Sequence, residues 1–175
     1  MNIAIASGKG GTGKTTISVA LAEHIIKNGF SVVLADCDVE EPNTALFLDI
    51  EDRKTETVYV DIPHLNSIQC IGCGGCEKIC KFSSIAMVNS LPLIFKELCH
   101  SCGGCVLMCP TGALTFEKVP VGFFEEAKDN SLFYLGGSLD PGKIQTTSII
   151  SYVKNKAKAI ESDFRIFDSP PGTSC

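Results

Sequence analysis

The sequence predicts an α/β protein with a parallel sheet, and it places a separate cysteine-rich segment inside that fold. Three observations support this prediction. The chain begins with a short apolar run, a glycine-rich loop, a helical pattern and a second apolar run, an order typical of a β-α-β unit. Strand and helix patterns return after residue 118. Between residues 62 and 118, cysteine and glycine become dense and long periodic helices disappear.

The first part of the chain, residues 1–61, contains the β-α-β unit. Residues 2–6 and 31–35 are continuous apolar runs, which predict two buried strands of a parallel sheet. A helix is predicted over residues 15–28, and Gly29 follows where a left-handed C-terminal cap is expected. The helix prediction depends on apolar residues that recur at helical spacing, namely Ile17, Ala20, Leu21 and Ile25.

The last part, residues 119–175, is predicted to continue the same α/β domain. Its pattern indicates a strand at residues 131–135, a helix over residues 143–160 and a strand at residues 165–167. The intervening segment, residues 62–118, is therefore predicted to be an insertion into a loop of the first domain.

Composition excludes several classes of protein. Apolar residues make up 45% of the 175 residues, enough for a packed core. The formal net charge is −5, so no nucleic-acid surface is expected. No apolar stretch is long enough to cross a bilayer or act as a signal peptide. Ten cysteines without a secretory signal indicate metal or redox chemistry in the cytoplasm.

A phosphate-binding loop is predicted directly after the first strand. The segment Gly8 to Thr15 fits G-x-x-x-x-G-K-[ST] between a strand and a helix, as this motif requires. Its backbone N–H groups would cradle phosphates, Lys14 would reach the β- and γ-phosphates, and the Thr15 hydroxyl would bind Mg²⁺. The alternative is a glycine-rich turn that binds nothing. The candidate nucleotide-binding residues of this loop are Gly8, Lys9, Gly10, Gly11, Thr12, Gly13, Lys14, Thr15 and Thr16.

The form of this loop, "KGGTGKTT", resembles the deviant Walker A loop of the MinD/ParA/nitrogenase-iron-protein class of ATPases. In that family the first lysine, here Lys9, reaches the nucleotide of the partner in a homodimer. The resemblance implies that Lys9 and Lys14 both serve catalysis, since a cation stabilises the charge that develops on the phosphates. The alternative for Lys9 is a solvated surface lysine.

Two further segments match the same family. "ADCDVEEPN" resembles its switch I, which implies that Asp38 orients the attacking water and Asp36 supports the magnesium shell. "RIFDSPPG" resembles its Walker B and switch II segment, which implies that Asp168 holds Mg²⁺ through water and that the Gly172 N–H approaches the γ-phosphate. The alternative for Asp36 and Asp38 is simple capping of the following segment.

The cysteine-rich segment contains an internal repeat. "CIGCGGCEKIC" recurs 29 residues later as "CHSCGGCVLMC", followed by proline. This spacing resembles the bacterial two-cluster ferredoxin, in which the fourth cysteine of each run binds the other cluster. The resemblance implies two 4Fe-4S clusters, the first held by Cys70, Cys73, Cys76 and Cys109, and the second by Cys99, Cys102, Cys105 and Cys80.

Alternatives remain open for this segment. Zinc sites also use C-x₂-C pairs, but their two pairs are usually separated by a longer loop. The clusters could also serve only to stabilise a small module. The first run departs from the ferredoxin pattern, because Lys81 stands where proline would follow Cys80. Cys37 and Cys175 lie outside the repeat and are not expected to be ligands.

The resemblance implies an ATP-binding and ATP-hydrolysing iron–sulfur protein that uses Mg²⁺ and forms a homodimer through its nucleotide face. ATP turnover would gate electron transfer through the two clusters to a partner protein. The alternatives are an iron–sulfur cluster carrier of the Mrp type, which would act on apo-proteins, and a MinD-like regulatory switch with redox-sensing clusters. Only the N-terminal portion of the family's domain is matched, so an incomplete sheet with an exposed edge is expected.

Overall fold

The computed structural model describes residues 1–50 and 52–172, which divide into two compact units. Of the described residues, the first unit comprises residues 1–50, 52–58, 122–140 and 146–172, and the second comprises residues 59–121 and 141–145. Two of the boundaries between the units, at residues 58/59 and 121/122, fall within long strands. Among the described residues, no helix combines the length and the apolar character that a membrane span requires.

A six-stranded sheet organises the first unit. The strands are β1 (Asn2–Ile5), β2 (Val32–Asp36), β3 (Lys54–Leu65), β6 (Leu114–Asp129), β7 (Leu132–Leu139) and β8 (Phe164–Asp168), in the spatial order β1-β8-β2-β7-β6-β3. The pairs β1–β8, β8–β2 and β2–β7 are parallel, whereas β6 and β7 form an antiparallel pair. The predicted α/β class with a mainly parallel sheet is thus confirmed.

Two helices pack on this sheet, and both were predicted. Helix α1 (Lys14–Lys27) is followed by Gly29 in the left-handed conformation, with φ of 87°. Helix α4 (Thr146–Ala159) turns its apolar face inward. The guanidinium of Arg165 donates from Nε to the Ala157 carbonyl at 2.9 Å and from Nη2 to the Ile160 carbonyl at 2.5 Å, which satisfies carbonyls at the end of α4.

Burial differs from the sequence-based expectation at two places. The inward face of α1 carries Ser18, Val19, Ala22 and Ile25. Ile17 is 54% exposed, so the apolar spacing located the helix but not its buried face. The prediction that β1 is buried is wrong, because all its residues are exposed or half-buried. Among the strands that the structure describes, β1 is terminal in the sheet order and pairs only with β8.

Two strands of the six-stranded sheet were not predicted from the sequence. Strand β3 alternates buried and exposed residues, with Val58, Val60 and Ile62 facing inward, a period-2 signal that was available in the sequence. Strand β6 begins inside the predicted insertion and continues to Asp129. The second compact unit extends three residues beyond each end of the segment predicted to be an insertion, residues 62–118, and also includes residues 141–145.

The second unit is small and internally repeated. It contains the hairpin of β4 (Ile85–Val88) and β5 (Leu91–Ile94) and the short helices α2 (Gly75–Ile79) and α3 (Gly104–Leu107). Residues 29 apart share the left-handed conformation, so the sequence repeat is also a backbone repeat. The three pairs, with their φ values, are Gly72 and Ser101 (68° and 55°), Gly74 and Gly103 (71° and 73°), and Ser83 and Gly112 (52° and 66°).

Close packing of α4 on β7 leads to a stability prediction. A Cβ atom at Gly137 would lie 2.6 Å from Cγ2 of Ile149 and 3.0 Å from Cγ2 of Val153. We therefore expect Gly137→Ala to lower the free energy of unfolding by about 1–3 kcal/mol, because the core is overpacked. Urea denaturation would measure the change.

Gly10→Ala is the matched control for this substitution. A Cβ at Gly10 meets no atom within 4 Å, so its effect on the free energy of unfolding should stay within about 0.5 kcal/mol. Equal stability of the Gly137→Ala variant and the unaltered chain would contradict the packing described here.

Candidate functional site

The glycine-rich loop connects β1 to α1 and presents an open surface. Gly11 and Gly13 adopt left-handed conformations, with φ of 69° and 85°, which glycine adopts without steric cost. Cβ atoms placed at Gly8, Gly10, Gly11 or Gly13 would meet no heavy atom within 4 Å. The loop therefore leaves room along its backbone for a ligand.

Side chains of the loop itself fix its curvature. The Ser7 hydroxyl donates to the Lys9 carbonyl at 2.7 Å, and the Thr12 hydroxyl donates to the Ser7 oxygen at 2.8 Å. Helix α1 starts at Lys14 and has no acidic residue in its first turn, so the positive end of its dipole is not neutralised there. Lys14 is buried, whereas Lys9 is exposed. This arrangement suits an anion such as a phosphate group.

Asp36 ends β2 and holds the segment that follows. Its Oδ1 accepts the Asp38 N–H at 3.0 Å, and its Oδ2 accepts the N–H groups of Asn43 and Thr44 at 3.2 and 3.0 Å. Burial raises the pKa of Asp36 from its ordinary value to about 6, although these backbone hydrogen bonds act in the opposite direction. Both oxygens are thus engaged, which favours the capping interpretation over the expected role in the magnesium shell.

Asp168 ends β8 and is placed beside Asp36 by the parallel register. Its Oδ2 accepts a hydrogen bond from the Thr44 hydroxyl at 3.3 Å. Its Oδ1 is buried and has no partner among the described residues, and a buried unpaired carboxylate oxygen is costly. An oxygen left without a partner at the carboxyl edge of a parallel sheet fits a hydrated Mg²⁺ ion.

The Thr15 hydroxyl is oriented by a residue that the sequence analysis did not single out. It donates to Oδ1 of Asn43 at 2.9 Å, and this use of its proton leaves its lone pairs available for a cation. Asn43 closes the quoted segment "ADCDVEEPN", and the adjacent Thr44 contacts both Asp36 and Asp168. For Asn43 and Thr44, the signal available in the sequence was a polar side chain in the segment that follows the end of a strand.

Asp38 and Gly172 lie close to the same loop. Asp38 lines a cleft of about 400 Å³ together with Glu41 and Thr146. Burial raises the pKa of Asp38 above its ordinary value, while the positive charge of Lys14 acts to lower it. The Gly172 N–H donates to the Ser7 carbonyl at 3.1 Å. A contact between this N–H and a γ-phosphate would require that hydrogen bond to break.

The second unit contains two cavities lined by cysteines. The structure brings together the same two groups of four that the sequence indicated. The first cavity is lined by Cys70, Cys73, Cys76 and Cys109. The second is lined by Cys80, Cys99, Cys102 and Cys105. All eight are free thiols, so each cavity offers the four-cysteine donor set of an iron–sulfur cluster; that iron binds there stays a prediction.

The thiols of the second cavity are close enough to influence one another. Burial raises the pKa of Cys105 to about 11, and the negative charges of Cys99 and Cys102 add to this rise. Burial alone would raise the pKa of Cys80 as well, but hydrogen bonds from the Ser84 hydroxyl and from backbone groups outweigh it and lower that pKa. Thiols that oppose each other's ionisation fit a site in which metal cations supply the compensating charge.

No group of three or more His, Cys, Asp or Glu side chains in residues 1–50 and 52–172 is arranged to hold a single metal ion. A 4Fe-4S cluster requires a different geometry, because four cysteines bind around a body of several atoms.

Cys37 is buried outside the repeat, and Cys175 lies outside the described residues. His100 stacks on Phe82 with ring centroids 3.9 Å apart.

Fold and loop together define a P-loop nucleotide-binding protein of the α/β class. The chain belongs to the CobQ/CobB/MinD/ParA nucleotide-binding domain family, whose model matches residues 3–163. An uncharacterized protein of Methanocaldococcus jannaschii is 39% identical over 181 residues, which cover 100% of this chain and 61% of that relative. The chain therefore spans about three fifths of the length of this relative.

Shorter and weaker similarities extend the comparison. An iron-sulfur cluster carrier protein of Pyrococcus abyssi is 36% identical over 66 residues, which are 38% of this chain and 22% of that protein. Among solved structures, the septum site-determining protein MinD with Mg-ADP from Pyrococcus horikoshii matches 99% of this chain and 50% of its own, with 18% identity and a TM-score of 0.46.

The two neighbouring aspartates are expected to respond differently to the same substitution. Asp36→Asn replaces one acceptor oxygen by an amide that faces backbone N–H groups, so the segment after β2 loses hydrogen bonds. We expect hydrogen exchange at the Asn43 and Thr44 amides to rise roughly tenfold, which corresponds to about 1.4 kcal/mol.

Asp168→Asn is the matched variant, because it can keep the oxygen that accepts from Thr44 and change only the oxygen without a partner. Exchange at these amides should stay near that of the unaltered chain, while the gain in nucleotide affinity from Mg²⁺ should be lost. Loss of amide protection in both variants would contradict the distinct roles of the two carboxylates.

Proposed function

We propose that this chain is part of a nucleotide-dependent iron–sulfur protein, in which an ATP site and two 4Fe-4S clusters occupy one polypeptide. The observation that carries the proposal is the pair of cavities in the second unit. Each is lined by three cysteines from one run of the repeat and the fourth from the other run. This crossed arrangement is that of two-cluster ferredoxins, and it occurs on the same chain as a P-loop.

In the nucleotide site, different residues would bind the phosphates, hold the metal ion and assist hydrolysis. Backbone N–H groups of the loop and Lys14 would bind the phosphates, and the Thr15 hydroxyl and Asp168 would hold Mg²⁺. Asp38, in the neighbouring cleft, would orient the attacking water. The preference for ATP follows from the resemblance to the MinD/ParA class.

The position of Lys9 supports the proposal that two copies of the chain form a homodimer through their nucleotide-binding faces. Its side chain is exposed, and none of the ion pairs formed by the described residues includes it. A lysine free at the rim of a phosphate loop can reach the nucleotide of a second subunit, where it would stabilise charge that develops during hydrolysis.

Nucleotide turnover would be coupled to the clusters through the state of the dimer. When bound, the clusters supply one-electron transfer between a low-potential donor protein and an acceptor protein. ATP and ADP can gate this transfer only if they bind the two dimer states with different affinity. Four cysteines of one chain line each cavity, which favours clusters that stay with this protein.

Cluster delivery is the second candidate function. Relatives that match part of this chain carry the name iron-sulfur cluster carrier protein. A carrier must release its cluster to an apo-protein, so it needs exposed and weakly held sites. Cys73 and Cys102 are exposed, which gives an acceptor one point of access to each cavity.

The two lysines of the loop provide the test of the nucleotide site. Lys14→Ala should abolish nucleotide binding, because it removes the cation nearest the phosphates. Lys9→Ala should leave binding intact and lower the hydrolysis rate by roughly a hundredfold, the size of one lost transition-state contact, or prevent dimerisation. Binding of a fluorescent ATP analogue, the hydrolysis rate and the mass in solution would be measured.

Lys27 offers the matched control for these variants, since it is an exposed lysine at the opposite end of α1. Lys27→Ala should match the unaltered chain in all three measurements. Equal loss of nucleotide binding in the Lys9 and Lys14 variants would contradict a role for Lys9 in the partner's site.

The cluster sites are tested by anaerobic reconstitution of the full chain. About eight iron atoms and eight sulfides per chain are expected, as two four-iron clusters require. Cys80→Ser should reduce the iron content to about half or less, whereas Cys37→Ala, outside the repeat, should leave it unchanged. A chain that binds zinc and no sulfide would refute both candidate functions.

Incubation of the reconstituted protein with an apo-ferredoxin separates the two candidates. Retention of the clusters, with a reduction rate that changes between ATP and ADP, is expected for electron transfer. Rapid movement of iron and sulfide to the acceptor would instead establish the carrier.

A further inference from the structure

A buried hydroxyl group stands beside the second cysteine cavity. Ser84 is 2% exposed, and its Oγ lies 3.1 Å from Sγ of Cys80. Ser84 therefore contacts the fourth cysteine of the first run, and this cysteine lines the second cavity.

The internal repeat shows that this hydroxyl is a difference between the two cavities. The residue 29 positions after Ser84 is Ala113, which lines the first cavity and is 1% exposed. The two residues occupy equivalent positions, because the preceding residues, Ser83 and Gly112, share the left-handed conformation. Among the side-chain hydrogen bonds of the described residues, the one that reaches a sulfur of the first cavity comes from the Thr111 hydroxyl, which lies 3.8 Å from Sγ of Cys109.

The direction of the hydrogen bond follows from the state of the cysteine. Between two neutral groups either atom could donate, but a cysteine that binds iron has no proton. The Ser84 hydroxyl must then donate to sulfur, and such a charge-assisted bond strengthens as the negative charge on the acceptor grows. Reduction of a cluster adds negative charge that its thiolates share, so the bond is stronger in the reduced state.

We propose that Ser84 is a positioning residue that raises the reduction potential of the cluster in the second cavity through its hydrogen bond to Cys80. The inference depends on the proposed iron–sulfur function, since it requires a cluster there. Hydrogen bonds to cysteine sulfur are among the features that set cluster potentials. The hydroxyl thus favours the presence of the electron on the second cluster, and Ala113 provides no such effect at the first.

Other differences between the two cavities also affect the reduction potentials, but they act separately from the Ser84 hydrogen bond. Lys81 stands where the second run has Pro110, but its side chain is exposed, so water screens its charge. Cys99 and Cys105 are buried, and burial of a negatively charged cluster lowers its potential. The measured difference between the two clusters will combine these effects, so Ser84 has to be isolated by substitution.

A reciprocal pair of variants isolates it in the full chain. After anaerobic reconstitution, redox titration followed by electron paramagnetic resonance would give both midpoint potentials. Ser84→Ala should lower the reduction equilibrium constant of one cluster about tenfold, a shift of about 59 mV for one electron, and leave the other cluster unchanged. Ala113→Ser should raise the potential of the cluster that Ser84→Ala leaves unchanged.

Thr111→Val serves as the control, because it removes a hydroxyl that lies farther from a cysteine sulfur; neither potential should shift by a comparable amount. If Ser84→Ala fails to retain iron, the result for Ala113→Ser decides. The inference is overturned, and the proposed function is not, if neither potential changes in Ser84→Ala and Ala113→Ser. A shift in Thr111→Val as large as that in Ser84→Ala would overturn it as well. An unaltered chain that binds no clusters overturns the inference and the proposed function together.

Discussion

The place of β8 between β1 and β2 is the constraint on which the nucleotide site depends. Its parallel register aligns Asp168 with Ile5 on one side and with Asp36 on the other. The start of the glycine-rich loop and two buried carboxylates consequently reach the same edge of the sheet. All five residues of β2 are buried, and a slip of one residue would turn every side chain to the opposite face, so the core itself holds these groups in register.

Within that site, one segment connects Asp168 to the glycine-rich loop. The Asp36 carboxylate holds residues 38–44, because it accepts hydrogen bonds from backbone N–H groups at both ends of this segment. The side chain of Asn43 in turn accepts a hydrogen bond from the Thr15 hydroxyl. A ligand that replaced a hydrogen bond of Thr15 or Asp168 would therefore act on the same short segment, which also carries Asp38. The segment is held by hydrogen bonds that a bound ligand could replace.

Much of the first unit could be predicted because its signals are local. The motif from Gly8 to Thr15, the helix after it and the strands ending at Asp36 and Asp168 are each determined by a few consecutive residues. The edge position of β1 and the inward face of α1 depend on distant strands, and an apolar pattern alone does not encode them. The hydrogen-bond partners of Asp36 could not be predicted for the same reason, since they come together only when the segment through Thr44 folds back.

The internal repeat of the second unit distinguishes the properties of the cavities that come from the backbone from those that come from individual side chains. Residues 29 apart share their left-handed conformations and precede helices that begin at equivalent positions, Gly75 and Gly104. The two groups of four that the ferredoxin resemblance implied each line one cavity, because a repeated backbone repeats the cavity it encloses. Inequality between the cavities must then come from individual side chains, and a repeat pattern read from cysteines alone cannot reveal it. The small residue that follows each fourth cysteine by four positions is such a side chain, and its consequence becomes visible only where the folded chain brings it against sulfur.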